Sequence, residues 1–80
     1  MQEFKLSLST IHNVNSFVQA IRNINCDFDL VSEDRHYVVD AKSIMGVLSL
    51  DLSKELTLKA YTTSEETIQA IAQIVADFKE

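Results

Sequence analysis

The stretch "AKSIMGVLSLDL", residues 41–52, decides how the middle of the chain folds. It holds the only glycine of the protein, Gly46, and after its lysine no charged residue follows until Asp51. Ser43 opens the apolar part of the stretch, and serine is a preferred residue at the N-cap of a helix. We therefore predict a short helix that begins after Ser43 and ends at about Leu50.

On either side of this stretch, the hydrophobic pattern alternates between the strand period and the helix period. Apolar residues at steps of three and four predict a first helix of about fourteen residues from Ile11, with Ser9 or Thr10 as its N-cap. Thr63 and Glu66 form a capping box that predicts the start of the last helix. That helix is expected to bury one stripe of side chains: Ile68, Ile71, Ala72, Val75 and Phe78. Four other segments are typical of strands: residues 4–9, 27–32, 36–41 and 55–61.

The resulting order is strand, helix, strand, strand, short helix, strand, helix. Two strand–helix–strand halves in this order predict an α+β open-faced sandwich, in which a four-stranded antiparallel sheet carries the helices on one face. Because 80 residues suffice for one small core, we expect residues 1–80 to form a single domain.

The composition excludes several classes of protein. No apolar run approaches the roughly 20 residues that a membrane-spanning helix needs, and the N-terminus lacks the pattern of a secretory signal. The net charge of −5, from twelve acidic and seven basic residues, makes nucleic acid an unsuitable partner. Cys26 is the single cysteine and has no disulfide partner within the chain. We expect a cytoplasmic protein that neither enters a membrane nor binds nucleic acid.

The core Lys42-Ser43-Ile44-Met45-Gly46, placed at the start of a short helix in this element order, resembles the HPr family. HPr is the small histidine-containing phosphocarrier of the bacterial phosphoenolpyruvate-dependent sugar phosphotransferase system. The resemblance spans almost the whole chain; it is strongest at residues 41–52 and moderate at residues 17–30. It implies the HPr fold, with order βαββαβα, and a function that needs no cofactor. Because no residues in the chain are spaced as the catalytic group of an enzyme, we expect no enzyme.

In this family, phosphate is carried by the histidine of a Gly-x-His-x-Arg-Pro motif, at the N-terminus of the first helix. The corresponding stretch here, residues 9–15, reads "STIHNVN". Alignment on "FVQ", residues 17–19, puts Thr10 at the histidine position and His12 at the arginine position. The glycine, arginine and proline of the motif are absent, so the resemblance does not extend to the phosphocarrier activity. His12 remains a weak phosphoacceptor candidate, because an exposed imidazole near a helix start can still accept a phosphoryl group.

The second site of the family is the serine of "KSIMG", which Ser43 matches. In Gram-positive relatives the HPr kinase/phosphorylase phosphorylates this serine, and the phosphorylated form binds catabolite control proteins. A phosphate adds a charge of about −1.5 to −2 at a helix N-terminus, where negative charge is favourable. Serine is also a common N-cap on any helix, and this structural role is an alternative explanation of Ser43.

The predicted short helix has more apolar side chains than it can bury: Ile44, Met45, Val47, Leu48 and Leu50. We expect Val47 and Leu50 to join the core. In the family, residues at the positions of Ile44, Met45 and Leu48 form an exposed patch that docks enzyme I, the sugar-specific proteins and the kinase. Methionine suits a surface that accepts several partners, because its side chain is flexible and polarizable. The alternative is that all of these side chains lie in the core.

The sequence therefore favours a regulatory or adaptor module related to the sugar phosphotransferase system, without the standard phosphocarrier histidine. Two alternatives stay open: an atypical phosphocarrier that uses His12, and a diverged binding domain unrelated to sugar transport. No metal site is expected, because His12, His36, Cys26 and the acidic residues lack the spacing of metal ligands.

Overall fold

The structure, a computed structural model, describes residues 1–79. Its strands and helices follow the expected order, βαββαβα. They are β1 Gln2–Leu6, α1 Ile11–Arg22, β2 Asp27–Val31, β3 Val38–Asp40, α2 Ile44–Leu48, β4 Leu56–Tyr61 and α3 Glu65–Ala76. Within residues 1–79, no helix has both the length and the apolar character that crossing a membrane requires.

The four strands form one antiparallel sheet in the order β1-β4-β2-β3. The central strand β4 pairs with β1 through Phe4 and Leu58, and with β2 through Leu30 and Leu58. The short strand β3 closes one edge, where Val39 lies opposite Leu30. Since side chains alternate across a strand, these paired residues share one face of the sheet. The α+β open-faced sandwich is therefore confirmed.

The helices cover that face with their apolar sides. The ring of Phe17 in α1 meets the ring of Phe78 edge-on, with centroids 5.6 Å apart and an interplanar angle of 82°. This geometry is one that aromatic pairs prefer, and it links α1 to the end of the chain beyond α3. The buried core lies between the helices and the sheet: Leu6, Leu8, Val14, Phe17, Val18, Ile21, Phe28, Leu30, Ala41, Val47, Leu50, Leu56, Leu58, Ala60, Ile71 and Val75.

The predicted start of the last helix was wrong by one residue. Ser64, not Thr63, is the N-cap of α3, and its hydroxyl accepts a hydrogen bond from the backbone N–H of Thr67 at 3.3 Å. The hydroxyl of Thr62 in turn accepts from the N–H of Ser64 at 3.1 Å. Two hydroxyls thus fix the turn before α3, and Thr63 lies between them.

The buried stripe of α3 is narrower than predicted. Ile71 and Val75 are buried and Ile68 is half-buried, but Ala72 is exposed. Successive residues in a helix are about 100° apart, so a stripe centred on Ile71 and Val75 leaves Ala72 on the flank. The prediction for Ala72 was wrong because its small apolar side chain suits either side of a helix.

Two other elements, β1 and α2, end earlier in the structure than the hydrophobic pattern predicts. Strand β1 stops at Leu6, because the backbone N–H of Ser7 donates to the carbonyl oxygen of Phe78 at 2.7 Å instead of continuing the sheet. Leu8 is nevertheless fully buried. Helix α2 stops at Leu48, although Leu50 beyond it belongs to the core. For Leu8 and Leu50, the pattern therefore predicted burial correctly but placed the ends of the elements too late.

Candidate functional site

The N-terminus of α1 is closed by a hydroxyl side chain. Thr10 has extended backbone angles and is the N-cap, and its Oγ1 accepts from the backbone N–H of Asn13 at 3.0 Å. This confirms Thr10 as one of the two expected caps. The adjacent Ile11 is 67% exposed, so its side chain adds apolar surface at this end of the helix.

His12 is the second residue of α1, and its side chain is exposed. Within residues 1–79, its ring nitrogens make no hydrogen bond and no ion pair. The nearest arginine on the same helix is Arg22, ten residues further along, which corresponds to roughly 15 Å along the helix axis. His12 therefore has an accessible ring but lacks a neighbouring guanidinium on α1 that would bind a transferred phosphoryl group.

Ser43 occupies the equivalent position on α2. It is the N-cap, and its Oγ accepts from the backbone N–H of Gly46 at 3.1 Å. Its carbonyl oxygen accepts the first hydrogen bond of the helix from Val47 at 3.0 Å, and its own N–H donates to the carbonyl oxygen of Asp40 at 3.0 Å. The predicted cap is confirmed. Hydrogen bonds of both the N–H and the carbonyl group fix the backbone of Ser43.

The close surroundings of Gly46 explain why this position is occupied by a glycine, the only one of the chain. A Cβ atom on Gly46 would lie 3.3 Å from Ser43 Oγ and 3.3 Å from Val39 Cβ. Both distances are shorter than an ordinary van der Waals contact between such atoms. The missing side chain therefore lets α2 pack closely against β3 and lets the hydroxyl of Ser43 reach the helix N–H groups.

The apolar side chains of this stretch divide between core and surface. Val47 and Leu50 are buried, as predicted, whereas Met45 is 80% exposed and Leu48 is 38% exposed. Ile44 is half-buried and packs against the core. The alternative in which all of these side chains are buried is wrong. We call the surface formed by Ile44, Met45 and Leu48 the α2 patch.

Two basic side chains join the segment before α2 to the end of α1. The Nζ of Lys42 donates to the carbonyl oxygen of Ile24 at 2.8 Å and stands 5.6 Å from the ring centroid of Phe28. Arg22 Nη2 donates to the carbonyl oxygen of Lys42 at 3.4 Å. Residue patterns along the chain did not indicate these contacts. The only signal in the sequence was the position of Lys42 directly before Ser43.

The groups with shifted pKa values lie in other parts of the fold. In the loop between β2 and β3, the Ser32 hydroxyl and the His36 N–H donate to Asp34 and hold the pKa of that carboxyl below its usual value. His36 lies in this hairpin loop, with its Nδ1 3.7 Å from Asp34 Oδ2. These contacts stabilise the loop and bring no acid–base pair to Ser43.

Two more shifted groups, Asp51 and Tyr61, likewise have local partners. Hydrogen bonds from the hydroxyl and N–H of Ser53 lower the pKa of Asp51, in the connection after α2. On β4, the hydroxyl of Tyr61 donates to Asp29 at 2.7 Å, and this bond raises the pKa of the phenol. Among residues 1–79, no group of three histidine, cysteine or acidic side chains is arranged to hold a metal ion.

Comparison with known proteins agrees with the fold. A family model described as the PTS HPr component phosphorylation site matches residues 11–80. The chain belongs to the HPr family. This is a family of phosphocarriers of the phosphotransferase system and not of enzymes, and its members interact with other components of that system.

Two solved HPr structures share the fold of this chain at low sequence identity. The crystal structure of HPr-C-His from Thermoanaerobacter tengcongensis is 25% identical, covers 96% of this chain and 93% of that chain, and has a TM-score of 0.75. The phosphocarrier protein HPr from Bacillus anthracis str. Ames is 20% identical, covers 98% of this chain and 96% of that chain, and has a TM-score of 0.71. A search of curated proteins finds no match.

Proposed function

We propose that this protein is a regulatory or adaptor member of the HPr family, in which Ser43 is the phosphorylated residue and the standard phosphocarrier histidine is missing. The observation that carries the proposal is the position of Ser43, at the N-cap of α2 and directly beside the exposed α2 patch. A phosphate on its Oγ adds a charge of about −1.5 to −2 at the edge of an apolar surface. A partner that contacts the patch therefore meets a surface whose charge depends on phosphorylation.

The N-terminus of α1 supports the second half of the proposal. A carrier histidine needs both backbone N–H groups for the phosphate and a cation that balances its charge. In this chain Thr10 occupies the cap, and its hydroxyl is used to hold the N–H of Asn13. The residue at the arginine position is His12, which is a weaker phosphate partner than a guanidinium. The match to the family model begins at Ile11, so it leaves out Thr10.

The proposed partners rest on the family and on the exposed side chains of the α2 patch. We propose that Ile44, Met45 and Leu48 contact enzyme I or the sugar-specific components of the phosphotransferase system. We also propose that the HPr kinase/phosphorylase modifies Ser43 and that a catabolite control protein binds the modified form. All these interactions imply a cytoplasmic location. The 80% exposure of Met45 supports its assignment as a contact residue, since a flexible thioether adapts to partners of different shape.

One observation favours a second function, that of an atypical phosphocarrier. His12 has an exposed ring in the first turn of α1, where the backbone N–H groups without helical partners favour an anion. In that case, enzyme I would transfer a phosphoryl group to a ring nitrogen of His12. The third reading, a binding domain without a role in sugar transport, predicts modification of neither residue.

Intact-mass measurement after two separate reactions distinguishes these functions. One reaction contains phosphoenolpyruvate and enzyme I, and the other contains ATP and the HPr kinase. We expect an acid-stable phosphate from the kinase reaction that disappears in Ser43→Ala. Ser49→Ala is the matched control, because Ser49 ends the same helix and its hydroxyl only donates to the carbonyl oxygen of Gly46. That variant should keep the label.

Other outcomes contradict the proposal. Label retained in Ser43→Ala excludes Ser43 as the acceptor. An acid-labile phosphate from the enzyme I reaction that disappears in His12→Ala establishes the carrier function instead. If neither reaction labels the protein, the binding-domain reading replaces both.

A further inference from the structure

The end of α1 touches the residue that precedes Ser43. Arg22 Nη2 donates to the carbonyl oxygen of Lys42 at 3.4 Å, and the side chain of Arg22 is exposed. This distance is long for an N–H···O hydrogen bond, so the contact holds the guanidinium only loosely. The carbonyl group of Lys42 is bonded to the backbone nitrogen of Ser43. Arg22 therefore contacts the residue directly before Ser43, whose side chain would carry the phosphate.

We propose that Arg22 is the intramolecular partner of a phosphate on Ser43. The guanidinium leaves the carbonyl oxygen of Lys42 and donates to the phosphate oxygens. This inference rests on the proposed function, because it requires a phosphate on Ser43. The exchange is favourable because hydrogen bonds between a guanidinium and a phosphate are roughly twice as strong as bonds between neutral groups, and a guanidinium can form two of them side by side.

Lys42 is less suited to this task, although it is adjacent to Ser43. Its Nζ donates to the carbonyl oxygen of Ile24 at 2.8 Å and also faces the ring of Phe28. Both contacts would be lost if the ammonium group turned toward the phosphate. Arg22 gives up only the long bond to the carbonyl of Lys42, so it can move at a lower cost.

The remaining charges around the phosphate can be named. Helix α2 contributes none, because residues 44–48 are all uncharged. On β3, Asp40 accepts a hydrogen bond from the N–H of Lys42 at 2.9 Å, so its carboxylate contacts the residue directly before Ser43. Asp40 disfavours the doubly charged form of the phosphate, whereas Arg22 and Lys42 favour it. Without Arg22, the repulsion by the Asp40 carboxylate is less well compensated. The phosphate then loses its second proton only at a higher pH.

The experiment uses the full chain with phosphoserine incorporated at position 43 during synthesis, so that no kinase is needed. The second ionisation of the phosphate is followed by ³¹P NMR titration in the wild type, Arg22→Gln and Arg22→Lys. The matched control is Lys59→Gln, which also removes one positive charge. Lys59 lies between the inward-facing Leu58 and Ala60 on β4, so its side chain is on the opposite face of the sheet.

We expect the phosphate pKa to rise by roughly 0.3 to 0.7 of a pH unit in Arg22→Gln, the size of a partly exposed ion pair. Arg22→Lys should recover part of the difference, and Lys59→Gln should titrate like the wild type. Phosphorylation should also shift the side-chain N–H signals of Arg22 in the wild type. Because Arg22 is exposed, each variant is expected to fold, which thermal unfolding verifies.

Equal phosphate pKa values in the wild type and Arg22→Gln, with no change in the Arg22 signals, would overturn the inference. An equally large shift in Lys59→Gln would also overturn it, because the effect would then reflect only the net charge. This result is separate from the proposed function. If the kinase does not label Ser43 but the titration shows the shift, the proposed regulation fails and the contact with Arg22 stands.

Discussion

Two substitutions on α2 separate the proposed binding role of this helix from its structural role. Val47 is 0% exposed, whereas Met45, two residues earlier, is 80% exposed. Val47→Ala removes two methyl groups at about 0.8 kcal/mol each and leaves a cavity, so we expect the free energy of unfolding to fall by about 2 to 3 kcal/mol. Met45→Ala removes little buried surface, and its effect on stability should stay within about 0.5 kcal/mol.

Thermal unfolding and calorimetric titration with enzyme I measure the two effects. For a chain of this size, the melting temperature should fall by roughly 10 to 20 °C in Val47→Ala and remain near the wild-type value in Met45→Ala. Binding should weaken about fivefold or more in Met45→Ala, the effect expected of an energetically important interface residue. Val47→Ala, measured well below its melting temperature, should bind almost as the wild type does.

The control is Gln73→Ala, an exposed position on α3, which should change neither quantity. A large loss of stability in Met45→Ala would refute the assignment of this side chain to the surface. Unchanged affinity in Met45→Ala would refute the α2 patch as the contact surface, even if the stability results agree. The two substituted residues lie only two positions apart on α2. A general destabilisation of the helix would therefore affect both variants in the same way, and it cannot explain a loss of stability in one and a loss of binding in the other.

The remaining predictions concern a cap and a carboxylate. Ser64→Ala should lower the free energy of unfolding by about 1 kcal/mol in urea denaturation, whereas Thr63→Ala should change it by less than about 0.5 kcal/mol. The Ser32 hydroxyl and the His36 N–H hold the pKa of Asp34 below its ordinary value of 3.8, so their stabilisation is present above that pH and is lost as the pH falls through the lowered pKa. Asp34→Asn should therefore weaken the acid dependence of the urea midpoint below pH 3.8.

Whether a segment is a helix or a strand could be predicted, because the spacing of its apolar residues puts them on one face in only one of these structures. In β4, Leu56, Leu58 and Ala60 alternate with polar residues, and only a strand puts all three on one face. The ends of elements depended on contacts between distant parts of the chain. The N–H of Ser7 bonds to the carbonyl of Phe78, and nothing in the sequence around β1 indicates this partner. The end of the strand was therefore predicted three residues too late.

The candidate site shows the same division between local and distant contacts. The cap of Ser43 could be predicted because its donor, the N–H of Gly46, lies three residues away on the chain. The contacts of Lys42 with Ile24 and of Arg22 with Lys42 depend on how α1 packs beside the start of α2. No spacing rule connects these positions. The positions of the two basic side chains near Ser43 could therefore be recognised only from the structure.

The difference between α1 and α2 in this HPr fold lies in the surroundings of their N-caps. Thr10 and Ser43 both use a hydroxyl to hold a backbone N–H three residues ahead, so either helix start offers N–H groups to an anion. Of these two helix starts, only the one at Ser43 follows a segment that contacts a guanidinium, and only Ser43 adjoins the α2 patch. A phosphate on Ser43 would therefore gain a cation and also change the charge beside the α2 patch. A phosphate at the start of α1 would gain neither, which is the physical reason to assign signalling to α2.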